Sequence, residues 1–311
     1  MSIAAALSQG AEEGPVGGAP AAAATKPARS GAYLMLLPGL AYLVVFFVLP
    51  VFSLLATSLY VPAPGGDIGQ FVPAFHWQNY VTSLQEFWPQ TVRSFVFALI
   101  ATIAALVIGY PIAYVIAVRA RGRTFLQGML LVLLVAPFFT SFILRTIAWR
   151  QILADDSFVV HAMKWLHLLP SDGRLTATAF AVVAGLTYNF LPFMALPIYA
   201  SLERMDSRLL EAGGDLYANG PTTFWRVTLP LSMPGVVSGT LLTFIPASGD
   251  YVNAVLLGNP TSTAMVGQII DSRFFVVNDY PTASVLSVVL MVAILILVGL
   301  YVRRAGTEDL L

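Results

Sequence analysis

The chain has 311 residues, of which 58% are hydrophobic and only 10% are charged. A soluble domain carries about 25% charged residues to keep its surface wetted, so this composition excludes an ordinary water-soluble fold and predicts a membrane protein. Sixteen basic residues balance sixteen acidic ones, which gives no sign of nucleic-acid binding. The absence of Cys excludes disulfides and thiolate chemistry.

The first segment, residues 1–31, is rich in Ala, Gly and Pro and shows no helical apolar period. We expect a disordered cytoplasmic tail there, because such a composition cannot bury enough apolar surface to fold. It does not resemble a signal peptide, since no basic stretch directly precedes a short apolar core with a cleavage site. Residues 305–311 are predicted to form a second cytoplasmic tail.

Between the tails, residues 32–304 contain six apolar segments, each long enough for the roughly twenty residues that cross a bilayer as a helix. They lie near residues 33–57, 94–118, 124–149, 175–200, 235–257 and 282–302. These segments are too long for buried strands and lack the alternation of a membrane barrel. The predicted fold is therefore an all-α membrane protein with six transmembrane helices.

The orientation follows from the basic residues, which collect in cytoplasmic segments. With the N-terminus inside, the inner segments hold Lys26, Arg29, Arg119, Arg121, Arg123, Arg204, Arg208, Arg226, Arg303 and Arg304. The outer segments hold Arg93, Arg150, Lys164, Arg174 and Arg273. Ten against five predicts that both termini are cytoplasmic.

Two outer segments, 58–93 and 150–174, are longer than connectors need to be. The second contains Phe158, Met163 and Trp165 among polar residues, and we expect a short interfacial helix there. Each segment could cap the bundle or receive a partner.

The inner loop at residues 201–234 is the most informative stretch. Its apolar residues Met205, Leu209, Ala212 and Leu216 are spaced by four, three and four, which places them on one face of a helix. Asn219-Gly220-Pro221 is expected to end that helix in a turn. A second short helix could follow before Pro230 leads into the fifth span. The pattern predicts a helical element exposed to the cytoplasm.

Glu211-Ala212-Gly213, followed at the family spacing by Leu229-Pro230, resembles the EAA loop of permeases from binding-protein-dependent ABC importers. Two positions depart from that consensus, since Gly213 replaces the second Ala and Tyr217 replaces a Gly. The resemblance implies that this loop couples the chain to an ATPase. The residues it assigns to that role are Glu211, Ala212, Gly213, Asp215, Leu216, Leu229 and Pro230.

The resemblance extends over most of the chain. Residues 242–252 and 76–80 are similar to segments of spermidine/putrescine permease subunits. It implies a type I importer fold in a bacterial inner membrane and a polyamine substrate, with no cofactor. It also implies a cytoplasmic ATPase dimer, a second permease subunit that forms a heterodimer, and an extracytoplasmic binding protein. No glycine-rich phosphate-binding loop precedes either lysine, so ATP hydrolysis is expected in a separate subunit and the chain is not predicted to be an enzyme.

Asp250 is the first candidate for the substrate path. It lies about 22 Å along a helix that starts at Gly235, in the outer half of a core about 30 Å thick. An ionisable residue at that depth is a functional candidate by default, although Asp250 could instead reach the outer interface or pair with the partner permease. Tyr251 follows it directly, and Tyr188 and Asn189 are predicted at comparable depth in the fourth span. Asn189 could also serve only to hydrogen-bond a neighbouring helix.

Several alternatives remain at this stage. The same importer class also carries ferric ion, thiamine, opines or phosphonates. An ion-coupled secondary transporter would explain six spans and a buried acid, but not the pattern from Glu211 to Pro230. A membrane enzyme would need a catalytic or metal-binding cluster such as H-E-x-x-H, which the sequence lacks. A channel is compatible with composition alone.

Overall fold

The computed structural model describes residues 29–206, 208 and 219–305 of the chain. Helices dominate it, and two short strands, β1 (Val61–Pro62) and β2 (Phe71–Val72), pair antiparallel. The helices are α1 (Arg29–Leu43), α2 (Leu49–Thr57), α3 (Gln78–Tyr114), α4 (Thr124–Val135), α5 (Phe142–Ile152), α6 (Phe158–Trp165), α7 (Ala179–Glu203), α8 (Gly220–Thr223), α9 (Leu229–Ser248), α10 (Val252–Leu257), α11 (Val266–Phe275) and α12 (Tyr280–Ala305).

Within the described residues, five continuous helices are long and apolar enough to cross a membrane. They are Leu36–Thr57, Gln78–Arg119, Ala179–Glu203, Gly220–Ser248 and Tyr280–Arg303. A sixth crossing is available only if the bent pair Thr124–Phe139 and Phe142–Ile152 counts as one span. The all-α membrane architecture predicted from the sequence is therefore the one that the chain adopts.

The chain divides into two compact units, one ending at Val51 and the other beginning at Phe52. The first unit contains α1, a π-helical turn at Val44–Val48 and the start of α2. Its apolar side chains from Leu36 onward are exposed. In water such a surface would be unfavourable, so this helix requires lipid or another protein around it.

The core of the second unit is formed by α3, α7 and α9. Alanines on α3, among them Ala98, Ala101 and Ala105, are fully buried and let the neighbouring helices approach closely. Small residues are the usual contact surface between membrane helices, because lipid tails are as apolar as Leu and close packing must supply the attraction.

Gly235 lies at a close crossing of α9 and α7. A Cβ added there would lie 2.6 Å from the carbonyl oxygen of Pro197 and 2.9 Å from the Cα of Ile198. Both atoms belong to the backbone, so no side-chain rotation can relieve the clash. We therefore expect Gly235→Ala to lower the free energy of unfolding by about 1–3 kcal/mol, as overpacking does.

Thermal unfolding of the purified permease in detergent measures this effect. Gly128 on α4 is the matched control, since a Cβ there meets nothing within 4 Å. Gly128→Ala should be neutral or stabilise by up to about 1 kcal/mol, because Ala favours a helix over Gly. Equal midpoints for the two variants would contradict the close crossing at Gly235.

Helix boundaries differ from the sequence-based segments in three places. Helix α3 starts at Gln78, well before the segment predicted at 94–118. The helix of the fifth span ends at Ser248, and the short α10 follows. The third segment, predicted as one run over 124–149, bends by 97° between Phe139 and Phe142.

The bend has an identifiable cause in the sequence. Pro137 lies in a 3-10 turn, and backbone hydrogen bonding changes there from the α-helical pattern. Arg145 then donates from Nη1 to the Pro137 carbonyl oxygen, and its guanidinium lies 5.7 Å from the ring centres of Phe138 and Phe142. Arg145 thus binds the backbone at the break and stabilises the bent form.

The segment 150–174, predicted to lie outside, contains the short helix α6. Ser157 caps it by accepting a hydrogen bond from the backbone nitrogen of Val160 at 3.2 Å. Val160 is fully buried, whereas Phe158 and Trp165 are 87% and 79% exposed. One face of this helix packs on the core and the opposite face presents aromatic side chains.

Candidate functional site

Asp250 lies at the interruption between α9 and α10. Its side chain is 8% exposed, and Oδ1 accepts a hydrogen bond from the backbone nitrogen of Asn253 at 2.7 Å. The carboxylate therefore caps the first turn of α10, where backbone N–H groups lack helical partners. Asp250 has a local structural task in addition to any role in transport.

The backbone at this interruption is tightly enclosed. A Cβ on Gly267 of α11 would lie 2.4 Å from the carbonyl oxygen of Gly249 and 3.0 Å from that of Asp250. Only a glycine allows α11 to pack so closely on the residues that carry the carboxylate. The position of Asp250 is thus set by α11 as well as by α10.

Asn189 joins three helices. It is 2% exposed on α7, and its Nδ2 donates at 3.1 Å both to Thr146 Oγ1 on α5 and to Asn253 Oδ1 on α10. Thr146 and Asn253 are fully buried. The structure therefore brings Asn189 close to the segment that holds Asp250, since Asn253 contacts both residues.

Substitution of Asn189 tests how much its two interhelical hydrogen bonds contribute to stability. Asn189→Ala removes two interhelical hydrogen bonds, which in membrane proteins contribute about 0.6 kcal/mol each on average, so we expect a loss of roughly 1 kcal/mol. Thr187→Val is the control, because the Thr187 hydroxyl donates to Val183 within the same helix. Thermal unfolding in detergent compares the two; an unchanged midpoint for Asn189→Ala would show that the three-helix contact contributes nothing.

The two tyrosines assigned to the same path lie in different surroundings. Tyr188 is half-buried, with its ring centre 5.4 Å from that of Trp149, and it lines an apolar cavity of about 500 Å³ together with Pro111 and Pro137. Tyr251 is 46% exposed. Within the described residues, neither hydroxyl joins the hydrogen bonds that link Asn189, Asn253 and Asp250.

Most of the predicted coupling residues, namely Glu211, Ala212, Gly213, Asp215 and Leu216, lie outside the described residues. Leu229 and Pro230 are described, and they begin α9. Leu229 is half-buried against the cluster that includes Tyr110 and Met205, whereas Pro230 is exposed.

Helix α8, the π-helical turn at Phe224–Thr228 and helix α9 form one continuous helix from Gly220 to Ser248. The sequence-based expectation placed a turn at Asn219-Gly220-Pro221 and a separate short helix before Pro230. Instead, Asn219 caps the helix by accepting a hydrogen bond from the backbone nitrogen of Thr222 at 2.9 Å. Pro230 is tolerated because a π-helical turn at Phe224–Thr228 precedes it.

Arg121 is a residue whose contacts the sequence did not indicate. It lies in the turn between α3 and α4, and its guanidinium donates to carbonyl oxygens at the end of α7. The acceptors are Met205 at 3.1 Å, Leu202 at 3.1 Å and Glu203 at 2.9 Å. From the sequence alone, Arg121 indicated only which side of the membrane is cytoplasmic.

The arrangement as a whole defines a class of protein. Long apolar helices and a buried acid at an interrupted helix are typical of a multi-pass membrane permease. Residues 105–305 match the sequence profile of the family described as binding-protein-dependent transport system inner membrane component. The chain belongs to this family and is a permease subunit of the inner membrane.

Curated relatives agree with this assignment. The chain is 33% identical over 266 residues, covering 85% of this chain and 94% of the relative, to the spermidine/putrescine transport system permease protein PotB of Escherichia coli K12. It is 34% identical over 263 residues to the protein of the same name from Haemophilus influenzae, covering 84% of this chain and 90% of the relative.

Solved structures share the fold. A chain of a bacterial ABC transporter that imports the acidic polysaccharide alginate superposes with a TM-score of 0.65 at 16% identity, covering 89% of this chain and 95% of the other. A chain of the MetNI methionine ABC transporter superposes with a TM-score of 0.51 at 18% identity, covering 72% of this chain and 94% of the other. The fold is that of a type I importer permease.

Proposed function

We propose that this chain is one permease half of an ATP-driven importer for polyamines such as spermidine and putrescine. The observation that carries the proposal is the 33% identity to the spermidine/putrescine permease protein over nearly the full length of that relative. Similarity of that extent includes the interrupted fifth span, where the buried acid lies, as well as the spans that support it.

The importer needs partners that this chain does not supply. A cytoplasmic ATPase dimer provides the energy, and loop 201–234 receives it through Glu211 and its neighbours. An extracytoplasmic binding protein delivers the solute. A second, different permease subunit completes the path, and the exposed apolar surface of the helix Leu36–Thr57 supports the need for such a neighbour.

The chemistry of the path suits a cation. A protonated amine that leaves water needs a compensating charge, and a carboxylate in low dielectric attracts it strongly. Asp250 supplies that charge at the interrupted helix, and Tyr251 beside it offers a partly exposed ring. Ring faces attract cations by roughly 0.5–2 kcal/mol each, and Tyr188 can contribute in the same way where its ring reaches the path.

Reconstitution tests the proposal directly. The full importer, with both permease subunits, the ATPase and the binding protein, is placed in vesicles and supplied with labelled spermidine or putrescine. Uptake that requires both ATP and the binding protein supports the proposal. Uptake of a different solute in place of polyamine would contradict the polyamine assignment. Uptake of polyamine without ATP would contradict the ATP-driven mechanism.

The orientation of the chain in the membrane is a separate prediction. We expect single Cys residues at Arg123 and Ser207 to be protected from an impermeant thiol reagent in intact cells, because both positions belong to inner segments. Cys residues at Asp67 and Asp172 should react, since they belong to outer segments. The chain has no native Cys, so it adds no background. Reaction at Ser207 in intact cells would reverse the orientation and remove the coupling loop from the cytoplasm.

A further inference from the structure

The turn between α3 and α4 binds the end of α7, where the loop 201–234 begins. An α-helix leaves its last four carbonyl groups without partners inside the helix. Here Arg121 donates to the carbonyl oxygens of Leu202, Glu203 and Met205, so one guanidinium binds three carbonyl groups at and just after the end of α7. A cation at a helix C-terminus is also favoured by the helix dipole.

A second side chain from the same region reinforces this contact. Nε2 of Gln127 on α4 donates to Glu203 Oε1 at 3.1 Å and lies 3.2 Å from the Tyr199 hydroxyl. Leu202 is fully buried and Met205 is 8% exposed, so the end of α7 is also packed into the core. The last turn of α7 is therefore attached to α3 and α4 through side chains whose partners lie more than 70 residues along the chain.

Just before this attachment, α7 contains an intrinsic weak point. Pro197 lacks a backbone N–H and cannot donate to the carbonyl group four residues earlier, and Pro192 repeats the defect one turn before it. A force applied to the loop after Glu203 could bend α7 at these prolines. Arg121 binds the chain beyond both prolines and ties it to the α3–α4 turn.

We infer that Arg121 is a positioning residue for energy coupling: it fixes the start of loop 201–234 to the α3–α4 turn, so that movement of the loop displaces α3 and α4. This inference rests on the proposed ATP-driven transport. In this role Arg121 acts through the backbone carbonyl groups at the end of α7.

The experiment compares variants in the fully reconstituted importer and measures solute taken up per ATP hydrolysed. Arg121→Met keeps an unbranched apolar side chain and removes all the donors, and it should lower this ratio severalfold while ATP hydrolysis continues. Arg121→Lys keeps the charge without the planar fork that binds several carbonyl groups, so it should give an intermediate ratio. Arg123→Met is the control, since Arg123 is exposed in the same turn and has no side-chain hydrogen bond within the described residues.

Each outcome decides the inference. A parental ratio in Arg121→Met, or an equal fall in Arg123→Met, overturns it. A loss of uptake and ATP hydrolysis in proportion to a loss of assembled protein shows a purely structural role and also overturns it. If Arg121→Met does not assemble, the ratio for Arg121→Lys decides in the same way. Failure of the parental importer to move any polyamine would count against the proposed function alone, because the variants are compared with whichever solute the parental importer carries.

Discussion

Glu211→Lys should abolish ATP-driven uptake while the permease still inserts and assembles. Glu211 opens the segment that resembles the ATPase-contacting loop of importer permeases, and it lies among the apolar positions that predict one helical face. Reversing its charge places a repulsive or unpaired group in the contact with the ATPase subunit. The measurements are solute uptake and ATP hydrolysis by the reconstituted importer.

A charge reversal nearby gives the matched control. Arg226 is exposed in the same loop. Because substitution of an exposed side chain usually has little effect on stability, Arg226→Glu should retain most uptake. If Glu211→Lys transports at the parental rate, the coupling role of this residue is wrong. If both variants lose uptake equally, a general charge effect on the loop explains the result.

The membrane fold could be predicted because hydropathy depends only on composition along the chain, but its details depend on distant contacts. Helix α3 begins sixteen residues before the predicted segment, where Gln85, Glu86 and Gln90 lower the hydropathy. Those turns stay ordered because α11 covers them. Arg273 of α11 binds Glu86 at 2.9 Å, and Ser94 accepts a hydrogen bond from the backbone of Val266 at 2.7 Å.

The bend in the third segment shows a similar limit. Pro137 is visible in the sequence, yet a proline in a membrane helix is compatible with a mild kink or a full break. The 97° angle depends on where Arg145 finds its acceptor and on the two rings around its guanidinium. Side-chain partners of that kind follow from the folded backbone and cannot be obtained from hydropathy.

The candidate site was predictable only in part for the same reason. A buried acid near interrupting residues identified Asp250 without any structure, since an ionisable group in the membrane is unfavourable unless it has a role. The partners of Asn189 are 43 and 64 residues away, and those of Arg121 are more than 80 residues away. No local spacing encodes such pairs, so the three-helix contact and the attachment of α7 required the structure.

Asp250→Asn should slow polyamine uptake strongly while leaving assembly and basal ATP hydrolysis near the parental level. The structure makes this substitution a clean test. Oδ1 of Asp250 accepts the hydrogen bond from the Asn253 backbone, and the amide oxygen of Asn can accept the same bond. The variant therefore removes the charge and keeps the cap of α10. The measurement is labelled polyamine uptake by the reconstituted importer, together with ATP hydrolysis.

Two further substitutions at this position separate charge from capping. Asp250→Ala removes both, and the lost cap should cost about 1 kcal/mol of stability, which thermal unfolding in detergent detects. Asp250→Glu keeps the charge on a longer side chain, so it should retain more uptake than Asp250→Asn. If the carboxylate carries a cation, Asn should lose uptake without losing stability, and Ala should lose both. Parental uptake in Asp250→Asn, with instability confined to Asp250→Ala, would limit this residue to capping α10 and place the path elsewhere.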